Sequence, residues 1–319
     1  MHRFASNVVG GIENPRFLLV GPELSPNRSF EDDLTGVTDT GSASARETDT
    51  TTPFGDYVLT IEDDASGVHE YAQIAIDTGA AISGNLYIAL AHGRNDADAG
   101  VVSAWCIWQG LTGDLEKHFN LDQDWKQAIV HEVRVPTGSS GNTLNYRIYP
   151  FAKIAGNSGE GKIRIDNFRC RKIVDYFELP LPSRGNERHT FRKEYQAQNQ
   201  LINGDVKSYL KGIRYFYEAS YERLTAAQEI IRSKLMNTSY DILFFPHKDS
   251  HLCYFVEWDD DYERNWSYGV APLGHEGQIV LKGMELLNRI PTEVVDATSE
   301  YESAEDALIW EGEEFIYTT

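Results

Sequence analysis

Residues 162–173 read KIRIDNFRCRKI. Ile163 and Ile165 alternate with Lys162 and Arg164, the pattern of a strand with one face in a core. After Asp166 and Asn167 the apolar positions resume at Phe168 and Cys170, so their parity has moved from odd to even. A side-chain period of two cannot shift without an extra residue in the strand. A bulge is therefore expected at Asp166–Asn167, with a carboxylate placed where burial is costly.

The same reading extends backwards from this strand. DYVLTIED, EYAQIAID, GNLYIALAHG, VVSAWCIWQG, AIVHEVRVP and TLNYRIYPFAKI are short alternating or apolar runs. DASG, TGAAISG, NDADAG, TGSSGN and GNSGEG punctuate them as turns. Such a series with no convincing helix predicts a β-sandwich or barrel over the first half of the chain. Residues 37–53, VTDTGSASARETDTTTP, are rich in Thr, Ser, Asp and Gly and read as a long surface loop.

A second region starts near Val174, after which Pro180, Pro182 and Gly185 break the pattern. Two strands are expected around Asn203–Gly204, followed by one helix. Thr225 and Gln228 have capping-box spacing, and Ala227, Ile230, Ile231 and Leu235 form an apolar stripe. YDILFFPHKDSHLCYFVEW reads as a hairpin over HKDS, and GQIVLKGMELL as a last strand. The expected fold is mostly β: a sandwich over 1–173, a β-rich α+β domain with one main helix over 174–291, and an acidic arm over 292–319. That arm has no Lys or Arg, yet it carries Trp310, Phe315 and Tyr317. Its EFIYT alternation suits an edge strand that adds to a neighbouring subunit, or else folds back on its own domain.

The 319 residues carry a net charge of −20 and are 41% hydrophobic and 12% aromatic. That is ample for packed cores and two domains, and unfavourable for phosphate backbones or anionic membranes. No apolar run approaches a membrane span, and MHRFASNVVGG lacks the apolar core of a signal peptide. Synthesis in a reducing cytoplasm and later release by another route are expected. Cys106, Cys170 and Cys253 show no metal or disulfide spacing and read as buried thiols.

No nucleophile elbow, zinc-protease, P-loop or dinucleotide motif occurs, so no enzyme is expected. His247 and His251 flank a turn and are not read as a metal pair. Trp105 and Trp108 lie on opposite parity, so one belongs to the core and the other is free to face a ligand. Tyr71 and Trp125, with Tyr87 and Tyr146, are further candidates for stacking on sugar rings, or else core residues.

From about Ser6 to Ile173 the order of signals resembles the jelly-roll carbohydrate-binding modules. The residues that carry the resemblance are GGIENPRF, GDYVLTI, GNLYIALAHG and IRIDNF. The resemblance implies a structural calcium at Asp166 with Glu13 as partner, set against a metal-free bulge; Asp32 and Asp33 are further oxygen donors. It also implies weak glycan binding through Trp105, Trp108, Tyr71 and Trp125.

Residues 174–291 resemble tail and baseplate proteins of tailed bacteriophages, through Gly212, Arg214, Tyr215, the helix and Phe245–Pro246. Together the resemblances imply a structural protein of a phage virion, a tail, neck or baseplate component. It would form ring-like homo-oligomers, contact other virion proteins through Trp310, Phe315 and Tyr317, and display a module toward host-surface glycan. The alternative is a carbohydrate-binding accessory protein of a glycan-degrading system.

Overall fold

The computed structural model describes residues 14–319 apart from 28, 40–43, 65–69, 80, 97–101, 112–114, 140, 153–159, 183–186, 201–205, 247–251, 260–264, 268–273, 288–307, 312–313 and 318–319. The chain divides into two units, one of Val20–Val174 and one of Asp175–Thr319 together with residues 1–19. Among the described residues no helix is long and apolar enough to cross a membrane.

The Val20–Val174 unit is a sandwich of antiparallel sheets. Its strands are the end of β1 (Arg16–Glu23), then β2 (Val37–Asp39), β3 (Ser44–Thr48), β4 (Tyr57–Asp64), β5 (Ala72–Ala75) and β6 (Leu86–Asn95). They continue with β7 (Val102–Gln109), β8 (Leu115–Asn120), β9 (Lys126–Arg134), β10 (Asn145–Ala152) and the start of β11 (Glu160–Glu178). One sheet runs β3-β4-β11-β6-β9 and the other β2-β5-β10-β7-β8. The core between them takes every second residue of each strand: Leu59 and Ile61, Ala89 and Ala91, Ala104, Cys106 and Trp108, Tyr146 and Ile148, Ile163 and Ile165. Trp108 sits at its centre, fully buried, edge-on to Tyr146 at 5.0 Å and to His131 at 6.1 Å.

The bulge in β11 forms where the parity shift places it. Pairing with β6 slips between Asp166 and Arg169, and Asn167 takes a left-handed φ of 49°. Phe168 and Cys170 thereby return to the core that Ile163 and Ile165 already fill. Beyond the bulge, Glu23 at the end of β1 accepts from the Cys170 N–H at 2.8 Å and from Arg171 Nε at 3.1 Å.

Residues 37–53 are not one loop. β2 pairs with β5 and β3 with β4, each as a short polar edge strand. Edge positions need backbone partners on one side only, which lets a run poor in apolar residues join a sheet. Arg46 fixes β3 by donating to the backbone carbonyl of Phe30 at 2.7 Å and lying over Tyr57 at 3.4 Å.

The second unit holds β12 (Glu187–Gln200), β13 (Val206–Leu224), α1 (Ala226–Met236), β14 (Asp241–Phe245), β15 (Tyr254–Trp258) and β16 (Asn265–Ser267). β17 (Gly274–Gly283), β18 (Leu308–Glu311) and β19 (Glu314–Tyr317) complete it. β12 pairs with β13, β13 with β17, β17 with β15 and β15 with β14, all antiparallel. Residues 14–19 group here and not with the sandwich, because Phe17 packs on Phe244 at 5.0 Å and Arg16 lies over Phe245 at 4.2 Å.

The capping box of α1 is present, with Thr225 accepting from Gln228 N. Its buried face differs from the apolar stripe. Ile230 is 59% exposed, whereas Glu229, Arg232 and Leu235 are buried. Arg232 bonds both oxygens of Glu229, at 3.0 and 3.1 Å, and donates to the Gln278 carbonyl at 3.0 Å. A Cβ on Gly277 would fall 2.7 Å from Arg232 Nε, so a missing side chain on β17 admits the ion pair.

Candidate functional site

The residues of the β2-β5-β10-β7-β8 sheet that point away from the core form a patterned face. Strand register lines them up in rows. Tyr149 is opposite Trp105, Trp105 is opposite His118, and Tyr71 precedes Ala72, the partner of Ile148. Tyr71, Tyr149, Trp105 and His118 thus form one aromatic row across the strands. Ring centroids are 4.8 Å apart from Tyr71 to Tyr149, 4.8 Å from Tyr149 to Trp105 and 5.8 Å from Trp105 to His118. That spacing follows the spacing of the strands themselves. Phe151 extends the row, edge-on to His118 at 5.2 Å.

A polar row lies beside it. Arg147 is opposite Gln73 on one side and Ile107 on the other, and Ile107 is opposite Glu116. Arg147 Nε donates to Gln73 Oε1 at 2.8 Å, and its guanidinium lies 4.3 Å from the Tyr71 ring centre. Glu116 accepts from Trp105 Nε1 at 3.1 Å, which fixes the indole. Apolar ring surface next to an amide, a carboxylate and a guanidinium is the chemistry that sugars require: C–H faces to stack and hydroxyls to bond.

Trp105 and Tyr71 therefore meet on this face, as half-buried residues. Trp108 does not, since it is at 0% exposure and no ligand can reach it. Tyr87 and Tyr146 are core residues as well. Trp125 belongs elsewhere: it is 4% exposed, donates to Thr51 Oγ1 at 3.1 Å and carries Arg94 over its ring at 5.7 Å. Trp108 and Trp125 are thus removed from the candidate ligand set. Phe151, His118 and Arg147 were missed, and Tyr149 backs the row as a buried ring. The signal was available in NYRIYPF, where Arg147, Tyr149 and Phe151 share the parity opposite Tyr146 and Ile148.

Asp166 is fully buried on the outer side of β11. It accepts from Thr52 Oγ1 and, at 2.6 Å, from the Asn167 N–H. Burial pushes its carboxyl up to about 8, against the pull of those hydrogen bonds. Its register partner His92 is pushed down to about 3, by burial and then by the Arg169 charge. Glu13 lies outside the described residues. Among the described residues no group of three or more His, Cys, Asp or Glu gathers where a metal ion could sit. N–H and O–H donors around Asp166 suit a carboxyl held by hydrogen bonds, whereas calcium asks for a shell of six to eight oxygens.

Cys106, Cys170 and Cys253 are buried thiols outside any disulfide, and burial pushes the Cys106 thiol up to about 12. His247, His251 and the Asn203–Gly204 turn lie outside the described residues. The edge strand expected in the arm forms as β19, but its backbone partner is β12 of the same chain, through Thr190–Ile316 and Phe191–Phe315. The backbones of Trp310, Phe315 and Tyr317 lie in this β18–β19 hairpin.

No family model matches the chain. No curated protein matches it either. Solved structures that it resembles include the CBM22-1 xylan-binding domain from Paenibacillus barcinonensis Xyn10C, at 13% identity and TM-score 0.35, over 49% of this chain and 99% of that one. Another is the Clostridium thermocellum xylanase 10B CBM22-1–GH10 structure with xylohexaose, at 9% identity and TM-score 0.34, over 53% of this chain and 31% of that one. A third is a carbohydrate esterase from the Shiga toxin-encoding bacteriophage phi24B, at 10% identity and TM-score 0.31, over 48% of this chain and 100% of that one. Likeness of this size assigns neither ligand nor activity to this chain.

Proposed function

We propose that the chain is a non-enzymatic carbohydrate-binding protein whose sandwich takes glycan on the outer face of β2-β5-β10-β7-β8. The observation that carries this is the in-register row of Tyr71, Tyr149, Trp105 and His118 beside Gln73, Arg147 and Glu116. Affinity per copy is weak, because a sheet face buries little of a sugar, and multivalent display raises it. The test is a glycan array probed with multimerised full-length chain. Signal should appear for the wild type and vanish for Trp105→Ala at unchanged circular dichroism; equal signal from both proteins would refute the assignment of this face.

We place the protein in a tailed-phage virion as a tail, neck or baseplate component, with the Asp175–Thr319 unit as the docking part in a ring of copies. The order β13, α1, β14, β15 supports this, being the order that carries the sequence resemblance. Negative-stain images of purified protein or particles decide it. Rings favour the virion role, and a monomer with glycan affinity favours an accessory protein of a glycan-degrading system.

A further inference from the structure

We infer that the sugar taken by this face is anionic, and that Arg147 holds its oxyanion; the inference rests on the glycan-binding reading of the same face. Arg147 is placed by its neighbours. Its Nε is committed to Gln73 and its guanidinium plane to Tyr71. Nη1 and Nη2 meet no acceptor among the described residues. Other arginines of the sandwich are used differently. Arg94 bonds Asp49 at 2.8 Å, Arg164 bonds Asp96 at 2.8 Å, and Arg171 bonds Glu23 at 3.1 Å. In a chain with 49 acids and 29 bases, an arginine pinned by an amide instead of a carboxylate is left with its anion-binding edge open.

The position of that edge selects the ligand class. Gln73 fixes the fork in one orientation, so little rotamer entropy remains to be lost when a planar oxyanion docks. The aromatic row lies beside it and accepts the C–H face of the ring that bears the anion. A uronic-acid carboxylate and a sugar sulfate ester share this chemistry. A net charge of −20 repels polyanions of every kind, nucleic acid and acidic polysaccharide alike. The same repulsion makes retention by any polyanion a demanding test, since only a local cationic site can overcome it.

The experiment is affinity electrophoresis of the full chain in gels containing polygalacturonate, the same polymer after carboxyl reduction, or a sulfated galactan without carboxylates. Wild type should bind an acidic polymer roughly ten- to a hundredfold more tightly than the reduced one, the range of a charged hydrogen-bonded pair. Whichever acidic polymer shows the preference identifies the oxyanion. Arg147→Gln should bring the acidic and neutral affinities together, and this ratio is insensitive to any general loss of folded protein. Equal wild-type affinity for all three polymers, or a preference that survives Arg147→Gln, overturns the inference while leaving the glycan face intact. Binding to none of them by a multimerised chain overturns both.

Discussion

The two outer faces of the Val20–Val174 sandwich cover one core and present opposite surfaces. On the β3-β4-β11-β6-β9 side, Asp49 bonds Arg94 at 2.8 Å and Arg164 at 3.2 Å, Arg164 bonds Asp96, and Lys162 bonds Glu47 at 2.9 Å. Burial pushes the Asp49 carboxyl up, but hydrogen bonds from Thr51 and Arg94 outweigh it and hold the group below its ordinary value. Asp49, Asp96 and Glu47 there take up donors of Arg94, Arg164 and Lys162. On the β2-β5-β10-β7-β8 side the row is aromatic, the charges are sparse, and Arg147 keeps donors in reserve. A face closed by internal ion pairs stabilises; a face of rings and unspent donors is equipped to recognise. Trp125 and Trp105 show the difference, one sealed under Arg94 and the other standing in the ring row.

The comparison is tested most severely inside the core that both faces share. Trp108→Ala should destabilise the protein by about 3–5 kcal/mol in urea melts, through a large cavity. Trp108→Phe should cost much less, because the Trp108 Nε1–H has no hydrogen-bond partner among the described residues to lose. Next comes Asp49→Ala, which takes the carboxylate from Arg94 and leaves Arg164 with Asp96 and Glu47. We expect a loss of about 2–3 kcal/mol at pH 7, shrinking in acid where the wild-type carboxylate is itself protonated.

The third test uses pH. His92 at about 3 and His131 at about 4 are both depressed by burial, so the stability they confer is lost as pH falls from about 6.5. Asp166 is raised to about 8, so its folded form keeps a proton that the unfolded chain gives up above its ordinary 3.8. Stability from this group falls as pH rises toward 8. Two histidines outweigh one aspartate below about 6.5, and above it the aspartate's opposite slope remains. Wild-type melting should therefore peak near pH 6.5 and decline toward pH 8 by about 2 kcal/mol. Asp166→Asn should abolish that decline; a decline that persists in the variant would assign it to other groups.

Smaller still is Trp105→Ala, for which we expect less than about 1 kcal/mol of stability lost alongside loss of glycan signal. A large melting shift would make the aromatic row structural and erase the contrast between the faces. The smallest effect expected is from EDTA. A donor-lined Asp166 predicts an unchanged melting curve, whereas a fall in melting temperature would favour the calcium role for Asp166 and Glu13.

What sequence showed and hid follows from the range of the interactions. The parity shift at Asp166–Asn167 and the opposite sides of Trp105 and Trp108 depend on a backbone period of two, which is local. Which tryptophan faced inward depended on Tyr146 and His131 closing around Trp108, and on strand order. The Arg147–Gln73 bond spans 74 residues, so no window contains both. The polar face of α1 was hidden likewise, since the carbonyl that receives Arg232 lies 46 residues downstream. Polar edge strands β2 and β3 escaped notice because composition reports what a segment can bury, not what backbone it can lean on.

The bulge in β11 makes this strand a counting device. Substituting Asn167 would cost whatever its left-handed backbone dislikes, a local matter. Deleting it would invert the phase of everything beyond: Phe168 and Cys170 would turn to the outer side, and Arg169 and Arg171 would turn into the core. A one-codon deletion here should be far more damaging than any point change at the same site. For this stretch, residue number is under tighter constraint than residue identity.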